Sequence, residues 1–336
     1  MEAHTAAANA LKYVLDAEAG ESLVIFSDPE KREVAEAFAL GAAKLGLWTR
    51  LAVLDAPDIK KHGPRKRIPD LAKEIMAQGR GGIYVNLFRG PAEEVPFRIS
   101  FVNMESRRRV RLGHCPGINI EMMTDGALAL GQDDYEKMQS RVKYLLGRLH
   151  GSVSVRMTNA IGTNLEFSVT GREWFTDTRI DWKKMKWMNL PVGEVIVGPV
   201  EDSLKGKLVC DIAVGGIGVI KSPVTIEAAG GRAENVICDD EKIKSKILES
   251  LDIDRMARHM GEFAFGLNRK ARLSDEFLEI EKLGGTCHIA FGNNSDYPGG
   301  RNTSANHMDF LISSPTVEVD FGDGFVTIME KGAFTS

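Results

Sequence analysis

The sequence lacks most of the signals that identify a protein class directly. Its four cysteines, Cys115, Cys210, Cys238 and Cys287, form no CxxC pair and match no zinc-ribbon spacing. Scattered cysteines of this kind indicate reduced thiols in a cytoplasmic protein. The N-terminus is polar and has no apolar signal-peptide region, and no apolar run reaches the ~18 residues of a membrane span. We therefore expect a soluble, cytoplasmic chain without a membrane partner.

Strong charge of one sign and a nucleotide-binding glycine motif are also missing. The formal net charge is −4, so the chain has no broad basic field for nucleic acid. The basic stretches at 60–67 and 107–111 are short, which is typical of surface patches. The turn at 27–30, after the first predicted strand, contains no glycine that would admit a pyrophosphate. We expect neither a nucleic-acid partner nor a dinucleotide cofactor.

The first 150 residues alternate between short apolar runs and segments of helical periodicity. Asp28 and Pro29 suit the start of a helix, as a cap and a first-turn residue. Strands separated by helices of this length indicate parallel βαβ units. We therefore predict an α/β domain over 1–150 with a doubly wound, mostly parallel sheet. The predicted helices are 5–17, 29–45, 68–78 and 133–150, and the predicted strands are 23–26, 50–54 and 82–87.

The pattern after Gly151 is different and predicts a β-rich α+β domain over 151–336. Polar and apolar residues alternate at 152–157 and 164–169, as in half-buried strands joined by a turn at Gly162. Glycine-rich joints recur between the later strands. Two helices are predicted, at 240–250 and 273–283. Further strands are predicted at 193–197, 207–212, 224–229, 233–238, 286–291, 307–312, 316–320 and 325–329.

Five residues with metal-binding side chains lie in apolar, glycine-flanked segments of this second domain. His307 and Asp309 are separated by one residue, so on a strand they project from the same face. A single buried carboxylate in such a segment is costly unless it is paired or bound to metal. Each residue alone has an ordinary explanation: a Glu at a strand start is usually on the surface, and a lone His is usually a hydrogen-bonded core residue. Together they favour a metal site, although periodicity does not show that they converge. The set is Glu194, Glu262, His288, His307 and Asp309.

Four blocks that contain these residues resemble the aminopeptidase T / aminopeptidase S family of thermophilic metallo-aminopeptidases. The blocks occur in the family's order over about residues 150–330, whereas the first half is similar only in its general α/β pattern. They are Asn189–Val195, Gly261–Asn268, Thr286–Gly292 and His307–Asp309.

The resemblance implies a fold, a reaction and a set of site residues. Such enzymes have an N-terminal α/β domain and a C-terminal β-rich domain that holds two divalent ions, and they form dimers. It implies that Tyr297 stabilises a developing oxyanion and that Glu281 is an outer ligand or a base. The segment 295–306, shorter than in that family, would shape the amine-binding end of the pocket. The implied metal ligands are Glu194, Glu262, His288, His307 and Asp309.

The expected function is a metallo-aminopeptidase that releases N-terminal residues from short peptides. Two ions bridged by carboxylates activate a shared water and polarise the scissile carbonyl. Mixed carboxylate and imidazole ligands suit zinc, cobalt or manganese. We expect a peptide substrate and a homodimer, the latter from the resemblance alone.

Two other functions remain open at this point. Ring-cleaving 2,5-dihydroxypyridine dioxygenases are similar to these peptidases and hold one iron with two His and one Asp, the usual ligands of such oxygenases. In those relatives the position of Glu194 is not acidic and that of Glu262 is a His, so both glutamates favour the hydrolase. A non-catalytic relative that kept the fold is the third reading, which the intact ligand set disfavours.

Overall fold

The computed structural model describes residues 1–54, 74, 82–90, 94–106, 110–181 and 187–336. The basic stretch at 60–67, the arginines at 107–109 and, apart from Glu74, the predicted helix over 68–78 lie outside these residues. The chain forms two compact units. The first comprises Met1–Gln139, Asp177–Val192 and Lys270–Arg272, and the second comprises Ser140–Thr176, Gly193–Arg269 and Leu273–Ser336. The predicted domain boundary after residue 150 stays a prediction.

The helices and strands follow one another along the described chain in this order. The helices are α1 (Ala3–Tyr13), a short 3-10 helix (Pro29–Lys31), α2 (Arg32–Lys44), α3 (Val95–Ser106), α4 (Ile120–Thr124), α5 (Gln132–Leu149), α6 (Glu241–Leu251) and α7 (Phe277–Ile280). The strands are β1 (Ser22–Ser27), β2 (Trp48–Val53), β3 (Gly82–Phe88), β4 (Val110–Pro116), β5 (Ser154–Thr158), β6 (Asn164–Ser168), β7 (Phe175–Thr176), β8 (Trp187–Asn189), β9 (Glu194–Val197), β10 (Lys205–Cys210), β11 (Ala213–Val214), β12 (Gly218–Val219), β13 (Val224–Ala229), β14 (Arg232–Ile237), β15 (Met260–Gly266), β16 (Thr286–Gly292), β17 (His307–Ser313), β18 (Thr316–Asp320), β19 (Phe325–Glu330) and β20 (Ala333–Phe334).

The first unit contains a parallel sheet in the order β2-β1-β3-β4-β8. Its central strands are continuous apolar runs because both faces of a parallel sheet are covered. Phe26, Tyr84 and Phe101 belong to one core cluster, and the ring of Phe26 makes edge contacts with the other two. The predicted α/β class of the N-terminal part is confirmed.

The role predicted for Asp28 is wrong. The helical segment does begin directly after it, with Pro29 in the first turn, but the Asp28 side chain makes no capping hydrogen bond. Its carboxylate instead accepts a 2.7 Å hydrogen bond from the backbone N–H of Arg89, after β3. A tertiary contact has therefore replaced the local cap.

The second unit contains two antiparallel sheets, as the alternating pattern predicts. An eight-stranded sheet has the order β14-β13-β10-β6-β5-β18-β19-β20, and a seven-stranded sheet has the order β12-β11-β17-β16-β15-β9-β7. One core cluster combines apolar residues from both sheets, among them Val155, Leu208, Phe263 and Phe310. Within the described residues, no helix is both long and apolar enough to cross a membrane.

The helix predicted over 273–283 is wrong in extent, since α7 covers only Phe277–Ile280. Before it, the Ser274 hydroxyl accepts a hydrogen bond from the backbone N–H of Glu276 at 3.3 Å, a local bond that competes with helix formation. After it, the chain turns through Gly285, whose φ of +85° favours glycine. These two turns bring Glu281 and Lys282 into a buried region of the second unit.

Candidate metal centre

Four adjacent strands of the seven-stranded sheet carry the five predicted ligands. Glu194 begins β9, Glu262 lies in β15, His288 lies in β16, and His307 and Asp309 lie in β17. The register places both Glu262 and Asp309 opposite Ala290 of β16. His288 is two residues from Ala290, and residues two apart on a strand share a face. One side of the sheet therefore presents the carboxylates and the imidazole together.

The alternation of side chains along each strand also explains why the other face of these strands packs in the core. Phe263, Ile289 and Phe310, each next in sequence to a ligand or to Ala290, pack in the core cluster. They face the side opposite to the ligands because strand side chains alternate. On the ligand side, the residues between the functional groups are small, such as Ala264 and Ala290. Both alanines are fully buried, so the ligand face is not open to solvent between the functional groups.

Each of the five residues has a polar atom within 3.8 Å of a polar atom of another member of the set. His288 Nε2 is 3.2 Å from Glu262 Oε1, 3.6 Å from Glu194 Oε1 and 3.8 Å from Asp309 Oδ1. His307 Nε2 is 3.1 Å from Glu262 Oε2 and 3.6 Å from Asp309 Oδ1. The structure therefore brings together every residue of the predicted ligand set, and Glu262 lies between the two imidazoles.

The cluster is buried apart from one member. Glu194, Glu262, His288 and Asp309 are 4, 3, 1 and 7 % exposed, whereas the His307 side chain is 35 % exposed. His288 Nδ1 has no hydrogen-bond partner among the described residues. The Nδ1 of His307 lies 2.8 Å from the carbonyl oxygen of Asn293, which fixes the ring with Nε2 towards the carboxylates.

Electrostatic coupling shifts the pKa values within the cluster strongly. Burial alone would raise the pKa of Glu262, but hydrogen bonds to His288 and His307 outweigh it and hold that pKa well below its usual range. Burial alone would lower the pKa of His288, yet the Glu262 hydrogen bond and the charges of Glu194 and Asp309 raise it to about 9. The carboxylates of this centre thus require positive charge close by.

Tyr297 joins the cluster although its sequence spacing is unusual. Its hydroxyl donates a hydrogen bond to Glu262 Oε2, and its ring lies edge-on to Phe175 with centroids 5.1 Å apart. A Cβ at Gly198 would lie 3.4 Å from the Tyr297 Cβ, so a small residue there suits this packing. Burial, followed by the charge of Glu262, raises the pKa of the Tyr297 hydroxyl, which therefore keeps its proton.

A carboxylate outside the predicted set fixes the segment that carries Tyr297. The Oε1 of Glu201 accepts hydrogen bonds from the Asn294 side chain at 3.1 Å and from the backbone N–H of Arg301 at 2.7 Å. Its Oε2 pairs with Arg172. The sequence did not mark Glu201 as a site residue, because nothing local links it to residues a hundred positions away.

Glu281 lies beside the cluster and pairs with a lysine that sequence reasoning missed. Its carboxylate is 2.8 Å from the Nζ of Lys282, and 13 % of its side chain is exposed. The Lys282 ammonium also bonds Glu194 Oε2, and its side chain is 2 % exposed. The only signal in the sequence was a lysine directly after Glu281, which resembles an ordinary surface pair.

Comparison with known proteins decides which family carries this centre. A model of the thermophilic metalloprotease family (M29) matches residues 127–334, more than half of the chain and all five clustered ligands. The chain belongs to this family. No curated protein sequence matches it significantly. The predicted family is thereby confirmed.

Two solved structures share the fold of this M29 metalloprotease. Wild-type AmpT from Thermus thermophilus is 19 % identical with a TM-score of 0.70, and the alignment covers 99 % of each chain. The 2,5-dihydroxypyridine dioxygenase from Pseudomonas putida KT2440 is 14 % identical with a TM-score of 0.72, covering 99 % of this chain and 97 % of that one. At such identities the likeness shows the fold alone, a parallel α/β sheet followed by antiparallel β-rich sheets.

The donor set of this metalloprotease fits a divalent ion. Glu262, His288 and Asp309 each offer one ligand atom, and these atoms lie within 4.8 Å of one another. Carboxylate oxygens and imidazole nitrogens are the ligands that zinc and its first-row neighbours take. Three buried carboxylates are costly without positive charge close by, and a bound divalent ion supplies that charge where the imidazoles coordinate in their neutral form. The second unit therefore contains a centre suited to the metal that the family implies.

Replacing Tyr297 by phenylalanine is expected to lower kcat by about 100- to 1000-fold with little change in KM, by analogy with loss of one hydrogen-bond donor to a reacting centre. The change removes the hydroxyl that contacts Glu262 and leaves the ring against Phe175. Steady-state kinetics on an aminoacyl amide would measure it. Tyr144→Phe, at a half-exposed tyrosine of the same unit, is the matched control. An unchanged kcat for Tyr297→Phe would show that the Tyr297 hydroxyl takes no part in catalysis.

Proposed function

We propose that this chain is a metal-dependent aminopeptidase that releases N-terminal residues from short peptides with the help of two divalent ions. The observation that carries the proposal is the convergence of three carboxylates and two imidazoles on one sheet face, in a chain of a metalloprotease family. The ions would be zinc, cobalt or manganese. The residues that would hold them are Glu194, Glu262, His288, His307 and Asp309.

The protein's own side chains supply the proton transfers and the orientation. Bound divalent ions polarise a carbonyl and lower the pKa of water. Glu262, whose oxygens lie next to both imidazoles, would accept a proton from the attacking water and pass it to the leaving amine nitrogen. The protonated Tyr297 hydroxyl donates to the oxyanion that develops on the scissile carbonyl. Glu281, held by Lys282, stays outside these transfers and acts on the charge balance.

The proposal includes a homodimer and a preference for short substrates. Dimerisation follows from the resemblance to aminopeptidases T and S, and a site enclosed in a dimer would exclude long chains. Peptides with a free amino terminus are the expected substrates, since a free amine adds a ligand or a charge partner for the carboxylates of the centre.

Hydrolysis of blocked and unblocked substrates tests the proposal. We expect cobalt- or zinc-loaded protein to hydrolyse leucine p-nitroanilide and Leu-Gly, and to cleave N-acetyl-leucine p-nitroanilide at least about 100-fold more slowly, a difference of roughly 2.7 kcal/mol in transition-state binding. Turnover of a decapeptide should be slower than that of a dipeptide. Equal rates with the acetylated substrate would contradict an aminopeptidase, and no hydrolysis with any tested ion would contradict a peptidase.

A single-iron dioxygenase is the second candidate, and one observation favours it. His288, His307 and Asp309 lie together, which is the ligand type of such oxygenases. Glu262 contacts both imidazoles, however, and adds a carboxylate to that triad, which suits a hydrolytic centre better. Oxygen uptake by anaerobically iron-loaded protein with 2,5-dihydroxypyridine would favour the oxygenase.

A further inference from the structure

A buried lysine is bonded to one of the proposed ligands. The two carboxylate oxygens of Glu194 have different neighbours: Oε1 is 3.6 Å from His288 Nε2, whereas Oε2 accepts from the Lys282 ammonium. The Lys282 side chain is 2 % exposed and that of Glu194 is 5 % exposed. Solvent therefore does not screen this contact as it screens a surface pair.

The second partner of Lys282 holds the ammonium in place. Nζ lies 2.8 Å from Glu281 Oε1, so a fixed positive charge sits between two carboxylates. A buried ammonium of this kind is retained because removing either partner leaves an uncompensated charge. The Glu194 end of the centre thus already contains a cation that is part of the chain.

The opposite end of the centre has no comparable ammonium or guanidinium in its described ion pairs. Glu262 and Asp309 there contact only imidazoles and the Tyr297 hydroxyl among their side-chain partners. The cluster with three convergent ligand atoms, Glu262, His288 and Asp309, also lies at this end. The part of the centre around Glu194 thus differs in fixed charge from the part around Glu262 and Asp309.

We propose that Lys282 makes the two ion positions unequal. The Glu262–His288–Asp309 end binds one divalent ion tightly. A second ion that uses Glu194 Oε1, the oxygen nearer His288, must bear the repulsion of the Lys282 ammonium held at Oε2 of the same carboxylate, so it binds more weakly. The inference rests on the proposed two-ion function. It adds that Lys282 determines the affinity for the second ion.

Titration of metal-free protein with Co²⁺ tests the inference without any substitution. We expect calorimetry to resolve two steps, the second with a Kd at least about tenfold higher than the first, equivalent to 1.4 kcal/mol. Metal analysis after dialysis should then give one ion per chain. Two ions of equal affinity would overturn the inference, and so would tight retention of two ions per chain.

Three variants separate the charge of Lys282 from its packing. Lys282→Met keeps the length of the side chain and removes the charge, so the Kd of the second ion should fall at least about tenfold. Lys282→Arg keeps the charge and should retain two unequal steps. Lys205→Met, which removes an exposed lysine paired with Glu166 at 3.3 Å, should leave the titration unchanged.

The outcomes distinguish this inference from the proposed function. An unchanged or weaker second step in a folded Lys282→Met, checked by circular dichroism, would overturn the inference while leaving the peptidase intact. If Lys282→Met does not fold, the wild-type titration decides alone. Failure of every tested ion to support hydrolysis would defeat the proposed function, and the titration would still measure the asymmetry of the centre.

Discussion

Replacement of Glu262 by alanine is expected to lower kcat on an aminoacyl amide by about 10³-fold or more, within the range typical of lost acid–base groups. The variant should also bind metal about 10- to 100-fold more weakly, as after loss of a group that supports metal ligands. Both effects follow from one contact pattern, since Glu262 touches His288 at 3.2 Å, His307 at 3.1 Å and the Tyr297 hydroxyl. Kinetics and metal analysis of the purified variant would measure them.

The fold should survive this change, which makes the test specific. After removal of Glu262, the carboxylates of Glu194 and Asp309 still lie beside His288, and Asp309 still lies beside His307, so the metal-free variant should stay folded, as circular dichroism would show. Glu227→Ala, in the exposed part of β13 where Glu227 contacts the Asn235 side chain at 3.1 Å, is the matched control. A Glu262→Ala protein with wild-type kcat would show that the ligand assignment is wrong.

Removal of metal with a chelator is expected to abolish hydrolysis and to lower the thermal midpoint by roughly 5–10 °C, the shift that corresponds to an ion at about 100 times its Kd. An ion neutralises the buried carboxylates of Glu194, Glu262 and Asp309 only in the folded protein, so binding stabilises the fold. Differential scanning calorimetry before and after dialysis against EDTA, and again after Co²⁺ is returned, would measure the shift.

The matched control for chelation is the Glu262→Ala protein. Its weaker ion binding should reduce the shift in midpoint caused by EDTA, with each protein compared with its own metal-free form. Full hydrolysis in protein shown to be free of metal would contradict a metal-dependent mechanism. An EDTA effect of equal size in both proteins would mean that the stabilising ion lies elsewhere.

The strands of the centre were predictable because each combines an apolar run with a polar residue that interrupts it. The segments 286–291 and 307–312 were expected as strands and are found as β16 and β17. The polar residues stood out there because each interrupts an apolar run. Their convergence was not predictable from periodicity, since it depends on which strands pair and in what register. Only the pairing of Ala290 with both Glu262 and Asp309 brings the carboxylates to one imidazole.

Two errors in the sequence interpretation share a physical cause. Asp28 was expected to cap a helix but bonds to Arg89. Strand β4 was missed because its charged Arg111 suggested a surface segment, although the ion pair with Glu21 allows it to be buried. In both cases a long-range contact of a charged side chain outweighed a local preference, whereas the 273–283 helix is limited by the local bond at Ser274 and the turn at Gly285.

The distribution of the ligands along the chain has a consequence for biogenesis. The first ligand is residue 194 and the last is residue 309, and they lie on strands that are completed only when β17 has paired. A ribosome-bound chain that ends before His307 lacks one imidazole and one carboxylate, so it cannot assemble the full site. Assembly of the full ligand set must therefore follow synthesis of nearly the whole polypeptide. A product truncated before His307 would keep Glu194, Glu262 and His288 but would lack the other two proposed ligands.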